Sequence, residues 1–347
     1  MIKGVDINII GGKFGLPEKI ISNPDYPHFL LGNPVLLFNG RSGIKLALDS
    51  LKPENIWLPS YLCQTIISAV NPEASHIRFY PIDDHLRLEN LDFIDEIRNG
   101  DFFLFIDYFG FPSDRSLLQE LKGKRAILFQ DCSQALFSEW DEEISDFCLY
   151  SPRKFLGVPD GGILKIGSNY HHARPGLEEP PEEVFMQLFW AVVKRREFDV
   201  YGDENHWNRF FIEGEEGFTP GYSRMSDLSY YLLRNSFDFE AISRIRRKNY
   251  QTLLDSLGEF AIFQDLPDSV VPLGFPIKVE NRDHLQRELF REKIFPPIHW
   301  VIEGVVPTDF YKSHLLSQRI MTLPCDQRYG EGEMKHIAKS LLKTKLV

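Results

Sequence analysis

Lys154 closes the run Ser151-Pro152-Arg153-Lys154, and Asp160-Gly161-Gly162 follows it. Upstream, the apolar stretch Ala126-Ile127-Leu128-Phe129 runs into Asp131-Cys132-Ser133-Gln134. A lysine amine can condense with a carbonyl if it is neutral when it acts, and burial beside another cation favours that form. A carboxylate at a strand end can hold a proton on the ring nitrogen of a bound heterocycle. Small hydroxyls and glycine-rich turns can seat a phosphate. An amine, an acid and small donors are what pyridoxal phosphate (PLP) asks of a protein. Lys154, Asp131 and the segments near Ser42 and Ser151 can supply them.

Such residues need elements that bring them together. Val35 to Phe38 is a short apolar run, Asn39-Gly40-Arg41-Ser42-Gly43 is a turn, and Ile44 to Leu51 has helical periodicity. This order places backbone N–H groups at a helix N-terminus, which is a phosphate seat. Further strand candidates are Ile56–Leu58, His76–Tyr80, Asp101–Ile106, Ala126–Phe129, Phe147–Tyr150 and Gly162–Ile166. Helical patterns begin near Cys63 and at Ser116. Strands alternating with helices predict an α/β fold, with a mainly parallel sheet covered on both faces. In such sheets ligands bind at the carboxyl ends of strands, where Asp131, Ser151 and the turn at 39–43 all fall.

The remainder is less regular. Residues 1–34 read as an irregular arm rich in Gly and Pro. Residues 170–222 form a polar excursion, a lid or a subunit contact, with helical patterns at Val184–Lys194 and an aromatic stretch at Trp207–Phe211. Residues 226–257 read as one long helix or a broken pair. From about 260 the pattern is a small α+β domain: a strand at Phe275–Val279 and helices at Arg282–Glu292 and Glu331–Leu342. The domains are therefore drawn at 1–235 and 236–347.

With 347 residues, 43% apolar and 26% charged, the chain has the composition of a soluble globular protein, and 28 phenylalanines make a large core easy to build. Its formal charge of -11 argues against nucleic acid as the main partner, because phosphate backbones attract basic surfaces. The four cysteines, Cys63, Cys132, Cys148 and Cys325, form no CxxC pair, so reduced thiols, a cytoplasmic location and no metal site are expected. The first residues do not read as a signal peptide, and no uncharged apolar stretch is long enough to span a membrane.

The motifs, in their order, resemble the DegT/DnrJ/EryC1/StrS family of PLP-dependent sugar aminotransferases, of the aspartate aminotransferase fold (fold type I). Asn39 to Leu48 is similar to that family's Ser-Gly-Thr-x-Ala-Leu phosphate turn and helix, and Leu58-Pro59-Ser60-Tyr61 to its Val-Pro-Ser-Phe. Tyr108-Phe109-Gly110-Phe111-Pro112 resembles Leu-x-Gly-x-Pro, and Asp131-Cys132-Ser133-Gln134 resembles Asp-Ala-Ala-Gln. Ser151 to Lys154 looks like the Ser-x-x-Lys lysine loop. Gly221-Tyr222-Ser223-Arg224-Met225-Ser226 looks like Gly-Tyr-Asn-x-Arg-Met-Ser, and Ile298-His299-Trp300 and Leu323-Pro324 echo later landmarks.

The resemblance implies roles. Lys154 forms the Schiff base with PLP and then shuttles a proton. Asp131 pairs with the pyridinium nitrogen, and Gln134 reaches the 3-hydroxyl. Ser151, Ser42 and the backbone at Gly40 and Arg41 bind the phosphate. Arg41 stands where the family has Thr; it either adds charge to the phosphate seat or points away. Tyr61 is either the ring-stacking aromatic or core, since the family's stacking position falls on Cys63. Arg224 and His299 are candidate substrate contacts. The family's Asn, which reaches across the dimer, has no counterpart in Tyr222-Ser223-Arg224. The implied activity is transfer of an amino group, from glutamate, to a keto-sugar that is nucleotide-linked, by a ping-pong Schiff-base mechanism in a homodimer. A sugar dehydratase of the same family would carry His in place of Lys154. A non-catalytic sensor or assembly protein on this fold is the other alternative.

Overall fold

Most of the apolar runs become strands. The computed structural model describes residues 9–21, 26–70, 75–173, 175–202 and 207–344. A short strand β1 (Ile10–Gly11) precedes β2 (Val35–Leu37), β3 (Asn55–Pro59), β4 (His76–Tyr80), β5 (Phe102–Ile106), β6 (Ile127–Cys132), β7 (Phe147–Tyr150) and β8 (Gly162–Ile166). The last seven form one sheet in the order β2-β8-β7-β6-β5-β3-β4. Strands β3 to β7 pair in parallel, while β8 runs antiparallel to both β7 and β2. Residues of β3, β5 and β7 are buried throughout. That two-sided burial explains why they read as continuous apolar runs rather than alternating ones.

The register levels the strand ends. Ile106 pairs with Asp131, and Asp131 with Leu149, so β5, β6 and β7 finish side by side. Helix α1 (Gly40–Leu51) begins directly after β2, capped by the Asn39 side chain, which accepts from the Ser42 N–H. Gly162 lets β8 start against that cap: a Cβ there would lie 2.4 Å from the Asn39 carbonyl oxygen. Beyond the sheet come α2 (Gln64–Ile67), α3 (Arg115–Gly123), and the pair α4 (Glu182–Tyr201) and α5 (Trp207–Glu216) that makes up most of the 170–222 excursion.

The segment 226–257 is the broken pair: α6 (Asp227–Asn235) and α7 (Phe239–Leu257), the second capped by Asp238, which accepts from the Ala241 N–H. The C-terminal part contains β9 (Phe275–Lys278), α8 (Arg282–Arg291), β10 (Ile294–Phe295), α9 (Tyr311–Arg319), β11 (Ile320–Leu323) and α10 (Glu331–Lys343). Helix α9 and strand β11 were not legible in the sequence. Of α9 only Ser313, Leu316 and Ser317 are buried, which leaves no apolar period to detect.

The N-terminal arm is more structured than its composition predicts. Its β1 pairs in parallel with β10, and Leu16 donates to the Val192 carbonyl of α4. Residues 1–8, on which the signal-peptide reading rests, lie outside the described residues. Farther along, Gly15 meets the loop after Lys154 so closely that a Cβ on Gly157 would fall 1.7 Å from the Gly15 carbonyl oxygen. Overpacking of this kind costs about 1–3 kcal/mol. Gly157→Ala is therefore expected to lower the unfolding free energy by that amount, read as a lower urea midpoint. An unchanged midpoint would show that the arm does not dock there.

Among the described residues no helix is long and apolar enough to cross a membrane, and no cluster of three metal-ligating side chains occurs.

Candidate active site

The levelled ends of β5, β6 and β7, the start of α1, the arm and the segments at 295–300 and 322–328 enclose a cavity of about 430 Å³. Asp131, Gln134, Ser151, Lys154, Gly40, Arg41 and His299 all line it. Residues that stand far apart in the chain thus meet because of the parallel sheet.

Asp131 is 6% exposed at the end of β6. Its Oδ1 accepts from the Ser133 N–H at 2.8 Å, which fixes the carboxylate and, among the described residues, leaves the other oxygen without a donor. Gln134 is held by the turn after β5. Phe109 there adopts a left-handed backbone, φ 56°, and its N–H donates to Gln134 Oε1 at 2.9 Å. That bond identifies the amide orientation, since only the oxygen can accept. Gln134 Nε2 is a buried donor with no partner among the described residues. Buried donors in native proteins are nearly always satisfied, so this one points to a ligand acceptor.

Ser151 directly follows β7, and the turn Pro152–Lys154 comes next, closed by the Lys154 N–H on the Ser151 carbonyl at 3.2 Å. Behind it, Asp160 accepts from the Ser226 N–H at 2.9 Å and from the Ser229 hydroxyl at 2.7 Å, tying the lysine loop to the start of α6.

Arg41 lines the cavity, donating to the Phe218 carbonyl at 2.8 Å, with Glu215 3.5 Å away. Glu215 also pairs with Arg153. Burial works to raise the Glu215 carboxyl, but Arg153, Lys13 and Arg41 prevail and hold it below its ordinary value. Burial, then Lys154 and Lys13, push the His299 imidazole down to about 3, so it is neutral at physiological pH. Its Nδ1 lies 2.9 Å from Thr322 Oγ1.

Three candidates stand elsewhere. The Ser42 side chain turns inward: its hydroxyl donates to Asn39 Oδ1 at 3.2 Å and accepts from the Gly221 N–H at 3.1 Å, and it does not line the cavity. Tyr61 is fully buried, its hydroxyl donating to the His299 carbonyl and accepting from the Trp300 N–H at 2.7 Å. It braces the wall and cannot stack on a ring; Cys63, Thr65 and Ile66 face the cavity from its loop and α2. Arg224 forms ion pairs with Glu179 at 2.6 Å and Asp227 at 2.7 Å, so it ties the turn to α6 and is spent away from the cavity.

Other lining residues had escaped notice. Ser133 and Arg153 lie inside the quoted motifs and could have been found there. Lys13 and Glu215 carry no local signal, because the arm and α5 reach the cavity only through tertiary packing.

No family model and no curated protein matches the chain. Its fold does match solved structures. One, assigned as a sugar aminotransferase from Streptococcus pneumoniae and solved in its PLP form, is 14% identical with a TM-score of 0.68, covering 97% of this chain and 99% of that one. A DegT DnrJ EryC1 StrS aminotransferase from Brucella abortus is 15% identical with a TM-score of 0.63, covering 94% and 91%. DesV of S. venezuelae, solved in complex with a ketimine intermediate, is 17% identical with a TM-score of 0.64, covering 90% and 84%. At these identities the likeness is one of fold, and the chain has the fold of these aminotransferases: α/β, with the mainly parallel central sheet the sequence predicted.

Proposed function

We propose that this chain is a PLP-dependent aminotransferase that carries an amino group from glutamate to a keto-sugar, of the nucleotide-linked kind. The observation that carries the reading is the meeting of Lys154, the open oxygen of Asp131 and the unpartnered Nε2 of Gln134 on one cavity at the sheet's carboxyl edge. The donor set fits PLP. Gln134 Nε2 would donate to its ring oxygen, and Asp131 would hold a proton at its ring nitrogen. The hydroxyls of Ser133 and Ser151 and the start of α1 at Gly40 and Arg41 would seat its phosphate, as helix N-termini do for anions. The solved Streptococcus pneumoniae structures with this fold include PLP and PMP forms, and their names concern sugar aminotransfer.

Bound PLP supplies an electrophilic carbonyl and an electron-withdrawing ring. The chain supplies the rest. The Lys154 amine would accept the proton from the donor's α-carbon in one half of the exchange and deliver one to the acceptor's former keto carbon in the other. Asp131, fixed by the Ser133 N–H, keeps its charge directed at one point. Glutamate leaves as its 2-oxo acid before the keto-sugar enters, which gives ping-pong kinetics.

The reading includes a homodimer. Met186 at 38% and Trp190 at 40% exposure on α4 are large apolar side chains suited to burial by a second copy. Sedimentation at twice the 40.3 kDa chain mass tests that part.

The main test is spectroscopic. After incubation with PLP and removal of excess, the protein is expected to show a visible absorption band that fades when glutamate is added. A colourless protein would refute the cofactor. A band that no amino donor alters would favour a non-catalytic protein on this fold.

A further inference from the structure

The cavity holds more positive charge than a cofactor phosphate seat accounts for. Lys13, Arg41, Arg153, Lys154 and Arg328 line it, against the carboxylates of Asp131, Asp326 and, between Arg41 and Arg153, Glu215. Arg41 and Arg153 share that carboxylate, and both guanidinium groups lie over the Phe218 ring. Lys13 is different. Among the described residues its ammonium has no hydrogen bond and no ion pair, and it rests 4.1 Å from the centre of the Phe211 ring. A cation held on an aromatic face and open to a cavity is a cation waiting for an anion.

Its support differs from that of the phosphate seat: Lys13 comes from the arm and rests on Phe211 of α5, while the seat is built on α1 and the strand ends. The α1 start, Ser133 and Ser151 mark one side; a Cβ on Gly40 would lie 3.9 Å from Ser133 Oγ. The charges that act on Lys13 are Arg153, Glu215, Lys154 and Cys63, and Lys13 in turn acts with Lys154 on His299. The Lys13 ammonium is therefore close enough to Lys154 and His299 to act on a molecule that meets Lys154.

We propose that Lys13, presented by the N-terminal arm beside Arg153, forms a substrate subsite for an anionic group, a carboxylate or a phosphate, distinct from the cofactor's phosphate seat. The inference rests on the function proposed above and names what that site selects: substrates bearing negative charge away from the reacting centre. It also gives the arm a purpose. The pairing of β1 with β10 and the close contact of Gly15 with Gly157 hold Lys13 at a set distance from Lys154.

The subsite carries a pH signature. The Lys13 side chain is open to the cavity yet surrounded by dense protein, and that burial, then Arg153, with Lys154 adding and Glu215 and Cys63 opposing, lowers its pKa to about 8. Lysine binds an anion only when protonated. Anion binding through Lys13 is thus present below that value and fades as the pH rises through it, with Arg153 and Lys154 as the other facing cations and His299 neutral.

The experiment is calorimetric titration of the full chain loaded with PLP, using glutarate as a dicarboxylate without a reactive amine and uridine 5′-diphosphate as a phosphate probe. Lys13→Gln is expected to weaken binding of one or both by about 10-fold, as loss of a charged hydrogen-bond partner does. Lys13→Arg is expected to retain binding and to remove its decline near pH 8. Weakening of glutarate alone assigns a carboxylate, and of uridine diphosphate alone a phosphate. Unchanged affinity of Lys13→Gln for both probes would overturn the subsite. So would loss of PLP uptake in that variant, since Lys13 would then serve the cofactor. If the wild-type chain takes up no PLP, the proposed function falls, while glutarate titration of the same chain still tests the subsite.

Discussion

Lys154→Ala is expected to abolish the visible band of the PLP-loaded protein and to slow amino transfer by about 10,000-fold, the upper range for loss of one acid–base group. The amine is the one lysine nitrogen on the turn that follows β7, and its backbone is pinned by the Ser151 carbonyl and by the Phe155 N–H on Pro152. No other lysine stands on that turn, so a neighbour cannot take over without moving the loop. Lys13, also on the cavity wall, is held on the Phe211 ring. Retention of PLP in the variant, measured by equilibrium dialysis, separates the loss of chemistry from the loss of binding, because Ser133, Ser151 and the α1 start remain. An unchanged band in Lys154→Ala would remove the residue from the site.

Asp131→Asn is expected to lower the single-turnover rate with glutamate by about 100- to 10,000-fold while PLP uptake persists. Asparagine keeps an oxygen to accept from the Ser133 N–H, so the local turn survives. It removes the negative charge that would hold a proton at the ring nitrogen. A rate within a factor of about three of wild type would show that the carboxylate does not serve that role; such a factor is under 1 kcal/mol of barrier. Full loss of uptake instead would make Asp131 a binding residue only.

Much of the site could be read in the chain because its members sit at strand ends. Asp131 and Ser151 each close an apolar run, and the parallel sheet brings such ends to one edge regardless of their separation in sequence. Gln134 was legible from its spacing after Asp131, although its free amide nitrogen was not: that depends on the Phe109 N–H, which the turn after β5 supplies. Ser42 departs from its expected role, and of the two readings of Tyr61 the buried one holds, for one reason. Motif position places a residue near a site, but not the direction of its side chain, and here a helix cap and a backbone brace claimed the two hydroxyls. Arg224 was likewise claimed by Glu179 and Asp227, partners that its own segment and the excursion bring to the surface.

What the sequence by itself determined is the alternation of buried strands and helices, the cap and glycine turn at 39–43, and the order of chemical groups along the chain. These follow from local physics: apolar runs long enough to bury, and residues whose backbone freedom or side-chain acceptors end elements. What only the tertiary structure decided is which charges meet them. Lys13 from the arm, Glu215 from α5 and His299 near β10 reach the cavity through contacts between segments hundreds of residues apart or without any periodic signal. Burial then sets their state, leaving His299 neutral and lowering the proton affinity of Lys13. Desolvation and Coulomb terms act through space, so a chain read residue by residue holds the groups but not the field they make.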